Sequence, residues 1–183
     1  MIINRETYLL AVIPPSRIIK YVDNFRDKYA GESIDRISPH ITIFPPFFHF
    51  FSTELDLGDS ISRVCLGYQP FRVNLTGVDF FEGKNNVAFF KPDDNSTMQL
   101  RNLLTKTIDG MSGKVVNKHD DYPIDSKRFV PHMTIAEQIP KTDFEKAKKE
   151  LGEVKVNEEF DVNSIFLLKK EKKNWNQVFE IKF

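Results

Sequence analysis

The chain has 183 residues, of which 40% are hydrophobic and 28% charged, as is usual for a soluble globular protein of one domain. Lys plus Arg equals Asp plus Glu at 26 each, which excludes an overall positive field able to hold a long phosphate backbone. The single cysteine, Cys65, excludes an internal disulfide, and no apolar run of ~18 residues predicts a membrane helix. We therefore expect one cytoplasmic domain over residues 1–183.

The first quarter of the chain predicts a strand, a helix and a second strand. An apolar run over residues 8–13 stops at two prolines, as a buried strand does where its ladder of hydrogen bonds cannot continue. Ser16 is a favourable N-cap and Gly31 a favourable end for an amphipathic helix. The apolar stripe of this helix is Ile18, Val22, Phe25 and Tyr29. An alternating strand follows at residues 36–43, and the proline- and phenylalanine-rich residues 45–51 then predict a loop.

The middle of the chain repeats this order. A helix is predicted from the apolar stripe between Leu57 and Tyr68, on which Cys65 is a core residue, and residues 71–81 alternate as a strand. Residues 86–91 then form another apolar run that ends at a proline. Asp93 or Asp94 can cap the helix that follows, and its apolar stripe is Leu100, Leu103, Leu104 and Ile108.

The last part predicts a short helix with a stripe from Phe144 to Leu151, followed by two strands, residues 160–168 and 175–183. Lysines dominate the turn between these strands, and a solvated turn is the simplest interpretation of them. Since strand, proline, helix and strand occur twice, we expect an α+β protein. Its fold should be bilobal and pseudo-twofold, with two antiparallel-rich sheets facing a central cleft and helices packed on the outside.

Two stretches, residues 36–43 and 128–135, match each other in register. Arg, Pro, His, Thr and Ile recur at the same relative positions, and both stretches alternate like half-buried strands. In a strand, residues two apart point the same way, so each copy buries an apolar face and presents an imidazole beside a hydroxyl. The four polar residues presented in this way are His40, Thr42, His132 and Thr134.

This arrangement suits phosphodiester chemistry. One neutral imidazole can take a proton from a nucleophile, while one imidazolium gives a proton to the leaving oxygen. Each threonine hydroxyl can donate to a non-bridging phosphate oxygen. In a single copy, a half-buried structural histidine would be the better interpretation, but the repetition of five of the eight positions favours function.

The tetrads His40-Ile41-Thr42-Ile43 and His132-Met133-Thr134-Ile135, with the two-lobe order of elements, resemble the two-histidine (2H) phosphoesterase superfamily. This group includes the 2′,5′ RNA ligases and cyclic phosphodiesterases, and the resemblance covers most of the chain. It implies a bilobal α+β fold, no cofactor, and hydrolysis of nucleoside 2′,3′-cyclic phosphates or related 2′ phosphoesters. The partner implied is a nucleotide or a short RNA end, with no membrane and no long nucleic acid.

Carried over residue by residue, the resemblance makes His132 the base, His40 the acid, and Thr42 and Thr134 the phosphate ligands. Several RNA-processing members also place an arginine shortly after the second tetrad. This chain departs from them, because residues 136–138 are Ala-Glu-Gln.

Four further residues are candidate substrate contacts. Arg36 and Arg128 stand four positions before each histidine, on the same strand face, and could meet a second phosphate. Surface arginines paired with nearby aspartates are the alternative. Phe44 has the parity of His40 and could stack on a base, as could Tyr122 in its loop, although a core phenylalanine is the better interpretation of Phe44.

The other histidines suggest no second site. His49 lies among phenylalanines and is expected to be packed, and His119 with two neighbouring aspartates lacks the spaced ligands of a metal centre, so no metal is expected. Two other classes of function stay open. One is a binding module that recognises a phosphorylated ligand or RNA without turnover, and the other is a protein-partner role of the phenylalanine-rich stretch.

Overall fold

The computed structural model describes residues 3–29, 37–118 and 124–183. It contains four helices: α1 (Ser16–Tyr29), α2 (Glu54–Cys65), α3 (Asp94–Met111) and α4 (Lys141–Gly152). Its first five strands are β1 (Asn4–Val12), β2 (Ile41–His49), β3 (Phe71–Phe81), β4 (Asn86–Pro92) and β5 (Val115–Asn117). The remaining strands are β6 (Met133–Ile139), β7 (Glu158–Val162), β8 (Ser164–Glu171) and β9 (Asn174–Lys182). The α+β class is thus confirmed, and β3 has the bounds that the sequence predicts.

The strands form one sheet in the order β7-β3-β4-β6-β2-β1-β8-β9, with β5 paired to β2, and the described pairings are antiparallel. Two halves are evident, because the segment from β1 through α1 to β2 matches the segment from β4 through α3 to β6. The prediction of two sheets needs one correction. The halves join where Ile41 of β2 pairs with Met133 of β6 and where β5 pairs with β2, so the two sheets are one curled sheet.

All four helices bury their apolar side chains against the same face of the sheet. Their core cluster includes Leu57, Leu104 and Leu151 from helices, together with Ile41 and Ile135 from the two repeated strands. Cys65 is fully buried in this cluster, as predicted. The opposite face holds a smaller apolar cluster formed by Leu9, Ala11 and Leu168. The repeated strands therefore have one face in the core and one face that no described helix covers.

Strand β2 extends through the stretch predicted to be a loop and ends at His49, which is fully buried. Tyr8 pairs with Phe47 and Leu10 with Phe44, so three steps along β2 oppose two steps along β1. The extra residue of this bulge accommodates Pro45 and Pro46, which lack the N–H group that a regular ladder needs. The bulge depends on the pairing of β2 with β1, which are far apart in the chain. The prolines alone therefore predict an interruption but not a strand that continues past it.

The predicted C-terminal hairpin is confirmed, but its first strand is divided at Asn163 into β7 and β8. Lys169 belongs to β8 rather than to a solvated turn, and its side chain is 17% exposed. Its ammonium group lies 2.9 Å from the carboxylate of Glu6 and 3.1 Å from that of Glu54. This pairing ties β1 and β8 to the first turn of α2. Within the described ranges, no helix is long and apolar enough to cross a membrane.

Candidate active site

The two repeated strands lie side by side at the centre of the sheet. Ile41 of β2 pairs with Met133 of β6, and the strands are antiparallel. Continuing this register by one residue each way places His40 opposite Thr134 and Thr42 opposite His132. Cross-strand neighbours have Cβ atoms ~4.5–5.5 Å apart. The four groups therefore form a compact diagonal set, rather than two strands that face each other across a gap.

Each histidine is held by its own backbone. His40 Nδ1 lies 2.8 Å from the carbonyl oxygen of Ser38, and His132 Nδ1 lies 2.8 Å from that of Val130. A carbonyl oxygen can only accept, so each Nδ1 carries a hydrogen and donates it. In the neutral rings Nε2 then has the free lone pair. The structure thus orients both imidazoles with Nε2 as the nitrogen available for proton transfer.

The threonine beside His40 makes a direct contact with it. Thr42 Oγ1 is 3.2 Å from His40 Nε2, and the hydroxyl donates to the neutral ring. This contact keeps the hydroxyl and the reactive nitrogen on the same side of β2. Both side chains are half-buried, as are His132 and Thr134.

His132 is packed against two phenylalanines, Phe81 of β3 and Phe89 of the neighbouring strand β4. The ring centroids of Phe81 and Phe89 are 5.1 Å and 5.3 Å from the imidazole, and 4.3 Å from each other. Phe89 is 2% exposed, whereas Phe81 is half-buried. The period of the strands places both rings on the face of the imidazoles, so Phe81 presents apolar surface beside His132.

Burial lowers the pKa of both imidazoles. The pKa of His40 falls from about 6.5 to about 4 because burial disfavours its charged form. The Ser38 carbonyl opposes this change, and the positive charges of Arg26 and of His132 add to it. The pKa of His132 is also lowered by burial, and the Val130 carbonyl opposes that change. His40 thus has two causes that oppose its protonation, burial and the positive charge of Arg26.

Two of the other predicted contacts, Arg128 and Phe44, are not part of this set. Arg128 has a side chain that is 90% exposed, and its Nε lies 3.8 Å from Asp125, which matches the alternative of a surface arginine. Phe44 is 3% exposed and belongs to the core, where its ring meets Phe47 edge-on. A second register shift in β2 explains its position, because Thr42 pairs with Ala11 and Phe44 with Leu10. Two steps along β2 therefore oppose one step along β1, which turns Phe44 to the helix-covered face. Arg36 and Tyr122 lie outside the described residues.

Sequence reasoning missed the residues that support the histidines. The sequence pattern identifies Phe81 and Phe89 only as parts of alternating strands, and Arg26 and Arg101 only as polar helix positions. Phe81 could have been found, since a strand that ends in two consecutive phenylalanines places one ring on each face. Arg26 and Arg101 donate to the backbone carbonyls of Ile37 and Phe129, and contacts with backbone carbonyls leave no signal in the sequence.

Other sites are weaker candidates. A groove of about 770 Å³ lies between α1 and α4 and includes Lys28, Lys149 and Glu150 among its lining residues. Lys28 is already paired with Glu150 at 3.3 Å, and the groove contains no histidine or threonine. Within residues 3–29, 37–118 and 124–183, no three His, Cys, Asp or Glu side chains converge as a metal site. The chemistry therefore favours the repeated strands.

Two histidine–threonine pairs on adjacent strands of a pseudo-twofold antiparallel sheet define a two-histidine phosphoesterase. The family model of the 2′-5′ RNA ligase superfamily matches residues 14–174. A Staphylococcus haemolyticus protein, provisionally named a phosphoesterase, is 30% identical over 173 residues, which are 92% of this chain and 94% of that protein. The chain belongs to the 2′-5′ RNA ligase superfamily.

Solved structures show the same fold. A Thermus thermophilus protein has a TM-score of 0.62 at 18% identity, with 96% of this chain and 97% of that chain covered. Escherichia coli LigT in complex with 3′-AMP has a TM-score of 0.60 at 14% identity, with 97% and 98% covered. At these identities the likeness establishes the architecture.

Proposed function

We propose that this protein is a metal-independent phosphoesterase that hydrolyses 2′,3′-cyclic phosphates or 2′,5′ phosphodiester bonds in nucleotides or RNA ends. The observation that carries the proposal is the orientation of two imidazoles, each with Nδ1 bonded to a backbone carbonyl, beside two threonine hydroxyls. Acid, base and two phosphate ligands converge on one small area. A neutral chain without a long basic surface suits a nucleotide or a short RNA end.

In the proposed reaction on a cyclic phosphate, the base imidazole takes a proton from water at Nε2 and the water oxygen attacks phosphorus. The bond from phosphorus to one ribose oxygen breaks, and the acid imidazolium gives its proton to that oxygen. The product is a phosphomonoester beside a free hydroxyl. Thr42 and Thr134 donate hydrogen bonds to the non-bridging oxygens, on which negative charge grows in the transition state.

Burial and the nearby charge of Arg26 both disfavour a charged His40, which favours His40 as the base and His132 as the acid. A protein that holds one proton between the two rings keeps it mainly on the ring with the higher pKa, and His40 is the ring whose charge Arg26 opposes. This order is the reverse of the assignment that the family resemblance implies. The assignment applies to the free protein, in which no phosphate charge acts on either ring.

The comparisons support a nucleotide-type ligand. LigT, which has this fold, is solved with 3′-AMP. Phe81, half-buried beside His132, offers an apolar surface on which a base could stack. The ribose and phosphate would then lie over the four polar groups.

A binding module without turnover is the second candidate. The His40–Thr42 contact favours such a module in one respect, because the Thr42 hydroxyl occupies Nε2 of His40 until a ligand displaces it. Such a module would bind the same phosphorylated ligands and leave them intact.

The test is incubation of the purified protein with 2′,3′-cyclic nucleotides and 2′,5′-linked dinucleotides, with and without EDTA. We expect turnover of at least one substrate, unchanged by EDTA. Turnover abolished by EDTA would contradict the metal-independent mechanism. Binding measured by calorimetry, without product, would instead establish the module. A variant with both histidines replaced by alanine is the control for a contaminating enzyme.

A further inference from the structure

Two arginines, one in each half of the molecule, make the same contact with the segment before a candidate histidine. Arg26 of α1 donates through Nη1 to the carbonyl oxygen of Ile37 at 2.8 Å. Arg101 of α3 donates through Nε to the carbonyl oxygen of Phe129 at 2.9 Å. Ile37 is three residues before His40, and Phe129 is three residues before His132.

The next carbonyl in each segment holds the imidazole. Ser38 accepts from His40 Nδ1 and Val130 accepts from His132 Nδ1, and a proline stands between each of these residues and its histidine. The residue before a proline is restricted to extended φ and ψ, so the orientation of its carbonyl follows that of the peptide plane on its other side. That plane contains the carbonyl to which the arginine donates. Each helix therefore contacts the short backbone segment whose next carbonyl accepts from the imidazole.

The repetition distinguishes this contact from an ordinary surface hydrogen bond. The side chain of Arg26 is only 15% exposed, and the contact of Arg101 is partly buried. The two arginines do not occupy equivalent helix positions, because Arg26 is the eleventh residue of α1 and Arg101 the eighth of α3. They also use different nitrogens. The shared feature is the carbonyl three residues before the histidine, reached in two ways.

We propose that Arg26 and Arg101 are positioning residues, each of which fixes the Nδ1–H tautomer and the ring orientation of the histidine in its own half. The inference rests on the proposed function, in which both rings transfer protons at Nε2. Without the arginine, the segment before the histidine loses its anchor and the ring also samples the opposite tautomer. A displacement of a reacting group by ~1 Å can cost ~10²-fold in rate.

The test compares variants that remove the donor with variants that keep it. Arg26→Met and Arg101→Met retain the apolar stem and lose the hydrogen bond. Arg26→Lys places an ammonium one bond short of Nη1, and Arg101→Gln places an amide nitrogen at the position of Nε. Arg72→Met is the matched control, because Arg72 is 55% exposed and pairs with Asp161 on the edge strand β7.

The first readout is the tautomer of each ring, measured by ¹⁵N NMR of labelled histidine. We expect Arg26→Met to raise the Nε2–H population of His40 and leave His132 unchanged, and Arg101→Met to do the reverse. The donor-keeping variants and Arg72→Met should resemble the parent protein. This readout needs no substrate, so it stands even where the proposed function fails.

The second readout is the rate on the best substrate of the panel. Each Met variant should lower kcat by ~10–100-fold with KM changed less than ~3-fold, and the donor-keeping variant should recover most of kcat. Folded Met variants with parental tautomers would overturn the proposal, as would a tautomer change of equal size in both halves. If a Met variant does not fold, Arg26→Gln, which ends two bonds short of Nη1, or Arg101→Ala takes its place under the same criteria.

Discussion

At the scale of single residues, the two histidines are alike in geometry and unlike in surroundings. Both donate Nδ1–H to the carbonyl two residues earlier, at 2.8 Å. His40 then contacts a threonine hydroxyl, whereas His132 contacts two phenylalanine rings. A polar and positively charged neighbourhood on one side and an aromatic one on the other can give two chemically identical side chains different roles.

These roles can be separated by the leaving group. An acid is needed to protonate a ribose oxygen but not a p-nitrophenolate, which leaves readily as an anion. We expect His132→Ala to lose ~10²–10⁴ in kcat on a ribose ester and much less on a p-nitrophenyl phosphodiester. His40→Ala should lose activity on both. The measurement is kcat on the two substrates for each variant.

The opposite pattern, with His40→Ala spared on the aryl ester, would restore the assignment implied by the family. A double variant should be nearly as slow as the worse single variant, because groups that act as a unit are not additive. Near-full activity of either single variant on the ribose ester would contradict the mechanism itself.

The threonines should matter through their hydroxyls. Thr42→Ala and Thr134→Ala each remove one donor to a developing negative oxygen, a loss of ~10² or more in kcat. Thr→Ser keeps the donor and should cost far less. Thr76→Ala, at an exposed position of β3, is the control for the loss of a β-branched residue from a strand. Equal damage from Ser and Ala at both positions would show that the methyl group, and not the hydroxyl, is required.

At the scale of secondary-structure elements, the register shift between Thr42 and Phe44 of β2 decides which side chains reach the site. His40 and Thr42 precede it and share the uncovered face, while Phe44 follows it in pairing and lies in the core. We therefore expect Phe44→Leu to lower the free energy of unfolding by about 1–2 kcal/mol, with kcat/KM nearly unchanged. Urea denaturation and steady-state kinetics measure the two effects.

The comparison variant is Phe81→Leu, which alters a half-buried ring beside His132. It should change kcat/KM more than stability. A Phe44→Leu protein that is as stable as the parent and weaker in KM would mean that Phe44 contacts substrate after all.

The sequence predicts the helices and strands of this fold better than it predicts how the strands pair with one another. A period of two residues correctly places His40 and Thr42 on one strand face and Ile41 on the other, because only local geometry is involved. The period fails at Phe44, where a bulge interrupts it. The pairing of Ile41 with Met133, which brings the two halves together, depends on contacts between residues far apart in the chain. The contacts of Arg26 and Arg101 likewise join residues of a helix to the segment before a strand, which a local pattern does not predict.

At the scale of the whole molecule, one uncovered face holds two ionisable rings whose charges repel each other and whose burial penalises charge. Both effects lower the pKa of His40, and burial lowers that of His132. Two of the helices on the other face, α1 and α3, contact the segments before the strands through Arg26 and Arg101. Acid–base behaviour is thus a property of the pair and of the sheet that joins the halves.

The last prediction is the pH dependence of kcat/KM, which reports ionisations of the free protein. Activity needs one proton shared by the pair, so kcat/KM falls at low pH when both rings are charged and at high pH when both are neutral. Because burial lowers the pKa of His40 to about 4 and lowers that of His132 as well, both limbs move to lower pH. We expect a bell with its maximum between about 4 and 6.5, so that kcat/KM falls as pH rises through 7. The measurement is kcat/KM over pH 4–9, with circular dichroism to check folding at each pH. Arg26→Lys keeps the positive charge near His40, so the fall of kcat/KM at low pH should stay at the same pH in this variant. A rate that still rises above pH 8 would contradict the pairing of a neutral and a charged imidazole.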